Sequence, residues 1–325
     1  MAVFTTLTPL EVRKELPDFN IGELLSLEPI ASGIENTNYF LDTTEGRWVL
    51  TVFERLSESQ LPFYLELCAH LRSQGCPVAA PVRTKSGQLF SHIKGKPFSI
   101  ANRLEGRSIE NVTAKECASM GEVLARMHIA ARGFSLFQEN LRGPQWWQVT
   151  APVVLPHLDP TVGAMLSEEV NHQLTVFSDS QFQALPVAAC HCDLFRNNAM
   201  IVGHGTEQEH VSGVFDFYFA GCTALLFDVA VTVNDWCTDF ESPDLHLDPR
   251  KTEAFLRAYH AVLPFTDAER RWWPDMLRAA ALRFWLSRLY DFYQPRKASL
   301  LKPHDPTYFE RILRNRKRVT FPLVD

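Results

Sequence analysis

The chain lacks a strong charge of either sign. Its 32 Lys and Arg against 38 Asp and Glu give a net charge of -6 and a pI near 6.0, so it has no global electrostatic footprint for nucleic acid. The one basic stretch, Arg311-Ile312-Leu313-Arg314-Asn315-Arg316-Lys317-Arg318, reads as a solvated helix end. It also lacks a disulfide framework, because its 7 cysteines are odd in number and scattered, which favours a reducing, cytoplasmic setting. Cys190 and Cys192 flank His191, yet no second Cys/His pair stands at finger spacing, which argues against zinc. Met1 to Leu7 has no basic region followed by an apolar run, so a secretory signal peptide is not expected. The most apolar window, Ser212 to Val233, carries Asp216 and Asp228, two carboxylates that favour a buried strand and helix over a membrane span. Internal repeats and low-complexity tracts are absent. What remains is an ordinary globular composition, 46% hydrophobic over 325 residues, enough for about two lobes.

Leu27 to Phe53 alternates in strand fashion around turns at Ser32-Gly33 and Thr43-Thr44-Glu45-Gly46-Arg47. Leu61 to Gln74 has helical spacing, and Val78 to Ile93 predicts short strands with a turn at Lys85-Ser86-Gly87. Beyond Pro97 to Gly106 the pattern turns helical. This divides the chain into a strand-rich lobe (1–101), a hinge (102–106) and a mainly helical lobe (107–325). Thr113 to Arg132 predicts an amphipathic helix with Thr113 and Glu116 as a capping box, Gly133 at its end, and Cys117, Met120, Leu124 and Met127 on its core face. His128 adjoins that face and reads as a core histidine. Lys251 to Leu263 and Asp267 to Tyr293 predict further helices.

The chemistry concentrates in His191-Cys192-Asp193-Leu194-Phe195-Arg196-Asn197-Asn198, followed by Asp216 in Gly213-Val214-Phe215-Asp216-Phe217. Kinases need a carboxylate to accept the proton of the attacking hydroxyl, and an amide and a second carboxylate to hold Mg²⁺ on the nucleotide phosphates. Asp193, Asn198 and Asp216 supply that set in the order of a protein-kinase catalytic loop and metal loop. Apolar runs at Ala199 to Val202 and Val211 to Phe215 around Gly203-His204-Gly205 predict a hairpin that presents both metal ligands. Asp193 is thus the expected general base, with a turn or N-cap aspartate as the plainer alternative. Arg196 is expected to stabilise the base or the transferring phosphoryl group, and His191 to brace the loop by hydrogen bonding.

These residues resemble the aminoglycoside phosphotransferase and choline kinase superfamily, and within it the homoserine kinase family. The resemblance runs through Ser32-Gly33-Ile34-Glu35-Asn36-Thr37-Asn38-Tyr39, Trp48 to Glu54, His191 to Asn198, Asp216 to Ala220, Asp228 to Cys237 and Ala279 to Tyr290. It implies an α+β, two-lobed protein-kinase-like fold with a small antiparallel-sheet N-lobe and a mainly helical C-lobe. It also implies Mg²⁺-dependent transfer of the ATP γ-phosphoryl group to L-homoserine in threonine biosynthesis. The alternatives are another kinase of the superfamily, acting on choline, ethanolamine, hydroxylysine or an aminoglycoside, and a non-catalytic nucleotide-binding protein of kinase-like shape. An aminoglycoside would demand an acidic pocket, and the pocket segments are mainly aromatic and aliphatic. A homo-oligomer is compatible with the chain.

Two residues depart from the superfamily pattern. Cys192 stands where a small Gly or Ala is usual, and Thr51 where most kinases place the phosphate-binding lysine. Without that lysine, nucleotide charge falls to Mg²⁺ and to backbone amides of the loop Ser32, Gly33, Ile34, Asn36 and Thr37. Glu66, the lysine's usual partner by position, reads as a surface or helix carboxylate. The Asn102 to Leu104 backbone is expected at adenine. Homoserine carries an ammonium and a carboxylate besides its hydroxyl, so its pocket needs an acid and a cation. Asp235 and Arg283 are the candidates, against a helix cap for Asp235 and pairing with Asp228 or Asp291 for Arg283; Tyr218, Trp236 and Trp285 are candidate walls, though aromatics at helical spacing are more often core.

Overall fold

The computed structural model describes residues 4–30, 36–294, 304–319 and 321–324, in two compact units whose boundary in sequence falls between Glu105 and Gly106. The first unit opens with α1 (Pro9–Glu15), started by a Thr8–Glu11 capping box. Its sheet comprises β1 (Leu24–Pro29), β2 (Thr37–Thr43), β3 (Gly46–Val52), β4 (Ser91–Ile93) and β5 (Lys96–Asn102), antiparallel throughout in the order β1-β2-β3-β5-β4. Helix α2 (Leu61–Ser73) lies between β3 and β4 in sequence. The alternation of β2 is strict: Thr37, Tyr39, Leu41 and Thr43 are buried, and the residues between them half-buried. Tyr39 and Leu41 join Leu50, Val52, Phe98 and Ile100 and, from the N-terminal segment, Val12 and Phe19 in one core. The strands expected over Val78 to Leu89 do not form. That stretch makes isolated bridges, among them Pro81 to Ala101 and Thr84 to Phe19, and Gly87 at φ +86° turns the chain back within four residues of Thr84.

The second unit contains α3 (Ala114–Ala131), α4 (Pro144–Val154), α5 (Pro160–Ser178), α6 (Ser180–Gln183), β6 (Val187–Cys190), β7 (Ala199–Val202), β8 (His210–Val214), β9 (Gly221–Ala224), α7 (Leu225–Trp236), α8 (Pro249–Val262), α9 (Asp267–Tyr293) and α10 (Thr307–Arg318). Strand β6 pairs with β9, and β7 with β8. The Thr113 capping box forms as expected, and Cys117, Met120, Leu124 and Met127 are buried. All of α7 is buried, so it has no solvent face. Gly106, at φ +94°, lets the chain press against β7: a Cβ there would lie 2.4 Å from the Ile201 carbonyl, which accepts the next residue's N–H. The basic stretch of α10 is not simply solvated. Arg316 is buried, and its guanidinium donates to Asn234 Oδ1, the Leu245 carbonyl, Asn315 Oδ1 and Thr238 Oγ1. Four acceptors offset the desolvation of one cation. No helix among the described residues is long and apolar enough to cross a membrane.

Candidate active site

The segment from His191 to Asn198 is tied at both ends to α7. At its start the backbone N–H groups of His191 and Cys192 donate to Asp228, at 2.9 Å to Oδ2 and 2.7 Å to Oδ1. Asp228 is fully buried and also meets His128 Nε2 at 3.2 Å, while His128 Nδ1 contacts the Tyr259 hydroxyl at 2.8 Å. Burial pushes the Asp228 carboxyl up, but the His128 contact, the nearby His191 and the Cys192 N–H outweigh it and hold it below the usual carboxylate range. At the segment's other end the Arg196 N–H and Nε donate to Asp235 Oδ1 at 2.8 and 2.9 Å. Asp235 follows Asp228 by seven residues, two helical turns, so one face of one helix grips the segment twice. Between them Trp236 Nε1 donates to the Leu194 carbonyl at 3.1 Å, and Phe195 packs its ring 4.4 Å from that of Phe284.

The fixed segment sets up its own polar groups. Asp193 N–H donates to His191 Nδ1 at 3.3 Å, which puts the ring proton on Nε2, facing the Phe215 carbonyl at 2.9 Å. Burial lowers the His191 pKa, so the neutral ring braces the loop. Cys192 adopts φ +62°, a left-handed conformation that explains the small residue usual at this position in the family pattern. Burial pushes its thiol well up, as it does that of Cys190, so neither is poised as a thiolate ligand. The Asn198 amide donates to the Asp193 carbonyl at 2.8 Å and to Asp193 Oδ2 at 3.3 Å. That orientation turns Asn198 Oδ1 away from Asp193. The β7–β8 hairpin pairs Ala199 with Val214, and Phe215 N–H donates to the Asn198 carbonyl at 3.0 Å, so Asn198 and Asp216 lie at the same end. Asp216 is exposed and held at φ +65°, a backbone state that costs a non-glycine residue about 1–3 kcal/mol. Two hard oxygen donors of this kind suit Mg²⁺.

Helix α9 supplies the charge beside Asp193. Arg283 Nη2 lies 3.5 Å from Asp193 Oδ1, and the side chain is only 5% exposed. Its guanidinium carbon stacks 3.7 Å from the Phe284 ring centroid and 5.2 Å from that of Phe219. Burial lowers its pKa to about 10, which leaves it charged at neutral pH. Its Nε has no partner among the described residues.

Several expected roles meet different surroundings. Arg196 and Asp235 bond each other, and Arg196 also donates to the Glu110 carbonyl and stacks 3.8 Å from the Phe240 ring centroid. That pairing takes up the acid expected for the substrate ammonium and the cation expected at the phosphoryl group. Trp236 is fully buried, with its indole N–H spent on the loop, so it is core and not a pocket wall; Tyr218 is half-buried. In the first unit, Thr51 Oγ1 donates to Asn38 Oδ1 at 2.8 Å. Thr37 spends its only O–H on Glu54 Oε1 at 2.7 Å, which leaves its side chain no donor for a phosphate. Asn102 Oδ1 accepts the Ala80 N–H at 2.9 Å, Asn36 and Leu104 are half-buried, and Glu66 pairs with Arg83 at 2.8 Å. Ser32, Gly33 and Ile34 lie outside the described residues. The double grip of α7 was not expected from the sequence, although the seven-residue spacing of two aspartates in a largely apolar helix was its signal.

Residues 26–273 match the phosphotransferase enzyme family. The chain is 51% identical to the homoserine kinase of Cupriavidus necator over 97% of this chain and 96% of that protein. It is 49% identical to that of Paraburkholderia phytofirmans, again over 97% and 96%. Among solved structures it resembles amicoumacin kinase, with a TM-score of 0.67 at 16% identity over 94% of this chain and 91% of that one. A spectinomycin phosphotransferase gives a TM-score of 0.64 at 12% identity over 97% and 99%. These two likenesses establish the protein-kinase-like fold, and the curated relatives narrow the assignment. The chain belongs to the phosphotransferase enzyme family and, within it, to the homoserine kinases.

Proposed function

We propose that this chain transfers the γ-phosphoryl group of ATP to the side-chain hydroxyl of L-homoserine, in the cytoplasm, giving O-phospho-L-homoserine and ADP, with Asp193 as general base. The observation that carries the reading is the 3.3 Å contact of Asn198 with the Asp193 carboxylate, on a segment tied at both ends to α7. In the reaction the homoserine hydroxyl gives its proton to an Asp193 oxygen while its own oxygen bonds to the γ-phosphorus. The bond from that phosphorus to ADP breaks, and its electron pair leaves with ADP. The Asn198 N–H groups aim the carboxylate, so no reorganisation is needed when the proton moves.

Asn198 Oδ1 and the Asp216 carboxylate would hold Mg²⁺, which when bound offsets the negative charge of the phosphate oxygens. In the first unit, the residues proposed for the nucleotide are Thr51, a neutral side chain, and the backbone of Asn102 and Leu104. Arg283 answers the substrate carboxylate. With Asp235 engaged by Arg196, the acid for the ammonium is Asp291, which lies two turns beyond Arg283 on α9 and biases its charge. Arg196 then acts as a brace for the loop, and Tyr218 remains a pocket wall.

The test is ADP release, with the product identified by phosphorus NMR, over L-homoserine, choline, ethanolamine, hydroxylysine and an aminoglycoside, with and without Mg²⁺. Turnover of L-homoserine alone, abolished by chelation, is expected. Preference for another acceptor would discard the substrate but keep the chemistry, and turnover indifferent to Mg²⁺ would remove Asn198 and Asp216 as metal ligands.

A further inference from the structure

The surroundings of Arg283 contain a second guanidinium that neither the sequence motifs nor the phosphoryl-transfer machinery accounts for. Arg142 precedes α4, with its guanidinium carbon 4.5 Å from the Trp146 ring centroid and 5.8 Å from that of Phe219. Phe219 is the ring that Arg283 also approaches, at 5.2 Å. Two cations therefore approach one aromatic ring, one of them beside Asp193, and Arg142 is close enough to depress the ionisation of Arg283. Like charges held together cost free energy, and a shared anion offsets that cost.

The placement of Arg142 is built into the backbone. Gln138 accepts the Cys222 N–H at 2.6 Å, and its side chain donates to the Ala220 carbonyl at 3.2 Å. Glu139 bridges to Cys222, and Asn140 Oδ1 accepts the Arg142 N–H at 2.9 Å. The contact with β9 is so close that a Cβ on Gly221 would lie 2.7 Å from Asn140 Cα. The loop that carries Arg142 is thus fastened to the strand that follows Phe219, while Arg283 is fixed in α9. A site on such rigid supports has little ordering entropy left to lose when it binds.

We propose that Arg142 is a specificity-determining residue, which with Arg283 forms a carboxylate-binding subsite across Phe219 and selects an anionic, amino-acid acceptor over an amino alcohol. Planar guanidinium groups match a carboxylate in bidentate geometry, and the aromatic faces hold them by stacking without competing for their N–H groups. This inference rests on L-homoserine being the acceptor, and it adds the residue that reads the group distinguishing homoserine from ethanolamine-like alcohols.

The test is steady-state kinetics of Arg142→Met and Arg142→Lys on L-homoserine and on aminopropanol, which is the homoserine skeleton without its carboxylate. Loss of a charge-assisted hydrogen bond should raise the KM of Arg142→Met for L-homoserine about 10- to 100-fold with kcat within about threefold of wild type. KM for aminopropanol should stay within about twofold, and Arg142→Lys should recover part of the loss. A melting temperature near that of the wild type would separate lost binding from lost folding. An active wild type whose Arg142→Met variant keeps its KM and its preference for homoserine over aminopropanol would overturn this inference alone. A wild type inert towards L-homoserine would overturn the functional reading and this inference with it.

Discussion

The two flanks of the His191–Asn198 segment are built on opposite principles. On the α7 flank, buried carboxylates accept backbone N–H groups, His128 and Arg196, so the charges are answered inside the protein and the result is position. On the α9 flank, Arg142 and Arg283 stand on aromatic rings, and Arg283 lies 3.5 Å from the Asp193 carboxylate. The first arrangement suits a scaffold, because a carboxylate bonded to backbone fixes the path of the chain. The second suits a ligand of opposite charge. One short segment therefore separates what must not move from what must bind, and the two flanks should fail differently when mutated.

The largest failure is expected at Asp228. Asp228→Asn replaces an acceptor oxygen with a donor facing buried N–H groups, and should cost about 3–5 kcal/mol, the range for breaking a buried charged pair. Chemical denaturation would detect it, and a wild-type midpoint would contradict the scaffold role. The same group predicts an acid dependence. Folding lowers the Asp228 pKa, so the unfolded chain takes up the proton first; the stabilisation is complete above the unfolded value of about 4 and is lost as pH falls towards the folded value. Asp228→Asn should flatten that part of the stability profile.

Arg283→Lys comes next and tests the binding flank. A lysine cannot stack or bond in a planar fork, so acceptor KM should rise about 10- to 100-fold. The melting temperature should fall by less than in Asp228→Asn, and the reverse order would erase the contrast between flanks. Asp235→Asn keeps an acceptor for the Arg196 N–H but loses the ion pair, so it should cost about 1–2 kcal/mol by thermal melting. The smallest effect is expected far from both flanks, where Thr113→Ala removes a capping box from α3 for about 1 kcal/mol, again measured as a melting shift without loss of kcat.

Much of this arrangement was legible in the order of residues. The capping signal of Thr113 and Glu116, the hairpin after Asn198 and the full span of α9 are local patterns, and local patterns carry periodicity and caps directly. The spacing of Asp193, Asn198 and Asp216 was legible because a hairpin brings near neighbours together. What stayed hidden depends on distant pairings. Arg196 and Asp235 are 39 residues apart; the first was expected at the base or the transferring phosphoryl group and the second at the substrate, and the fold joins them to each other. The burial of Arg316 was missed for the same reason, and that of Trp236 was left open, since burial of an indole N–H or a guanidinium is set by acceptors on other elements. Arg142 carries no motif at all; its meaning comes from the docking of its loop on β9.

Asp193 lies where the two flanks meet, and its removal tests the account most directly. Asp193→Asn should lower kcat for ADP release with L-homoserine by about 10²- to 10⁴-fold, while the melting temperature shifts by a few degrees at most. Turnover close to that of the wild type, in a variant that folds and binds ATP, would contradict the account by removing its general base.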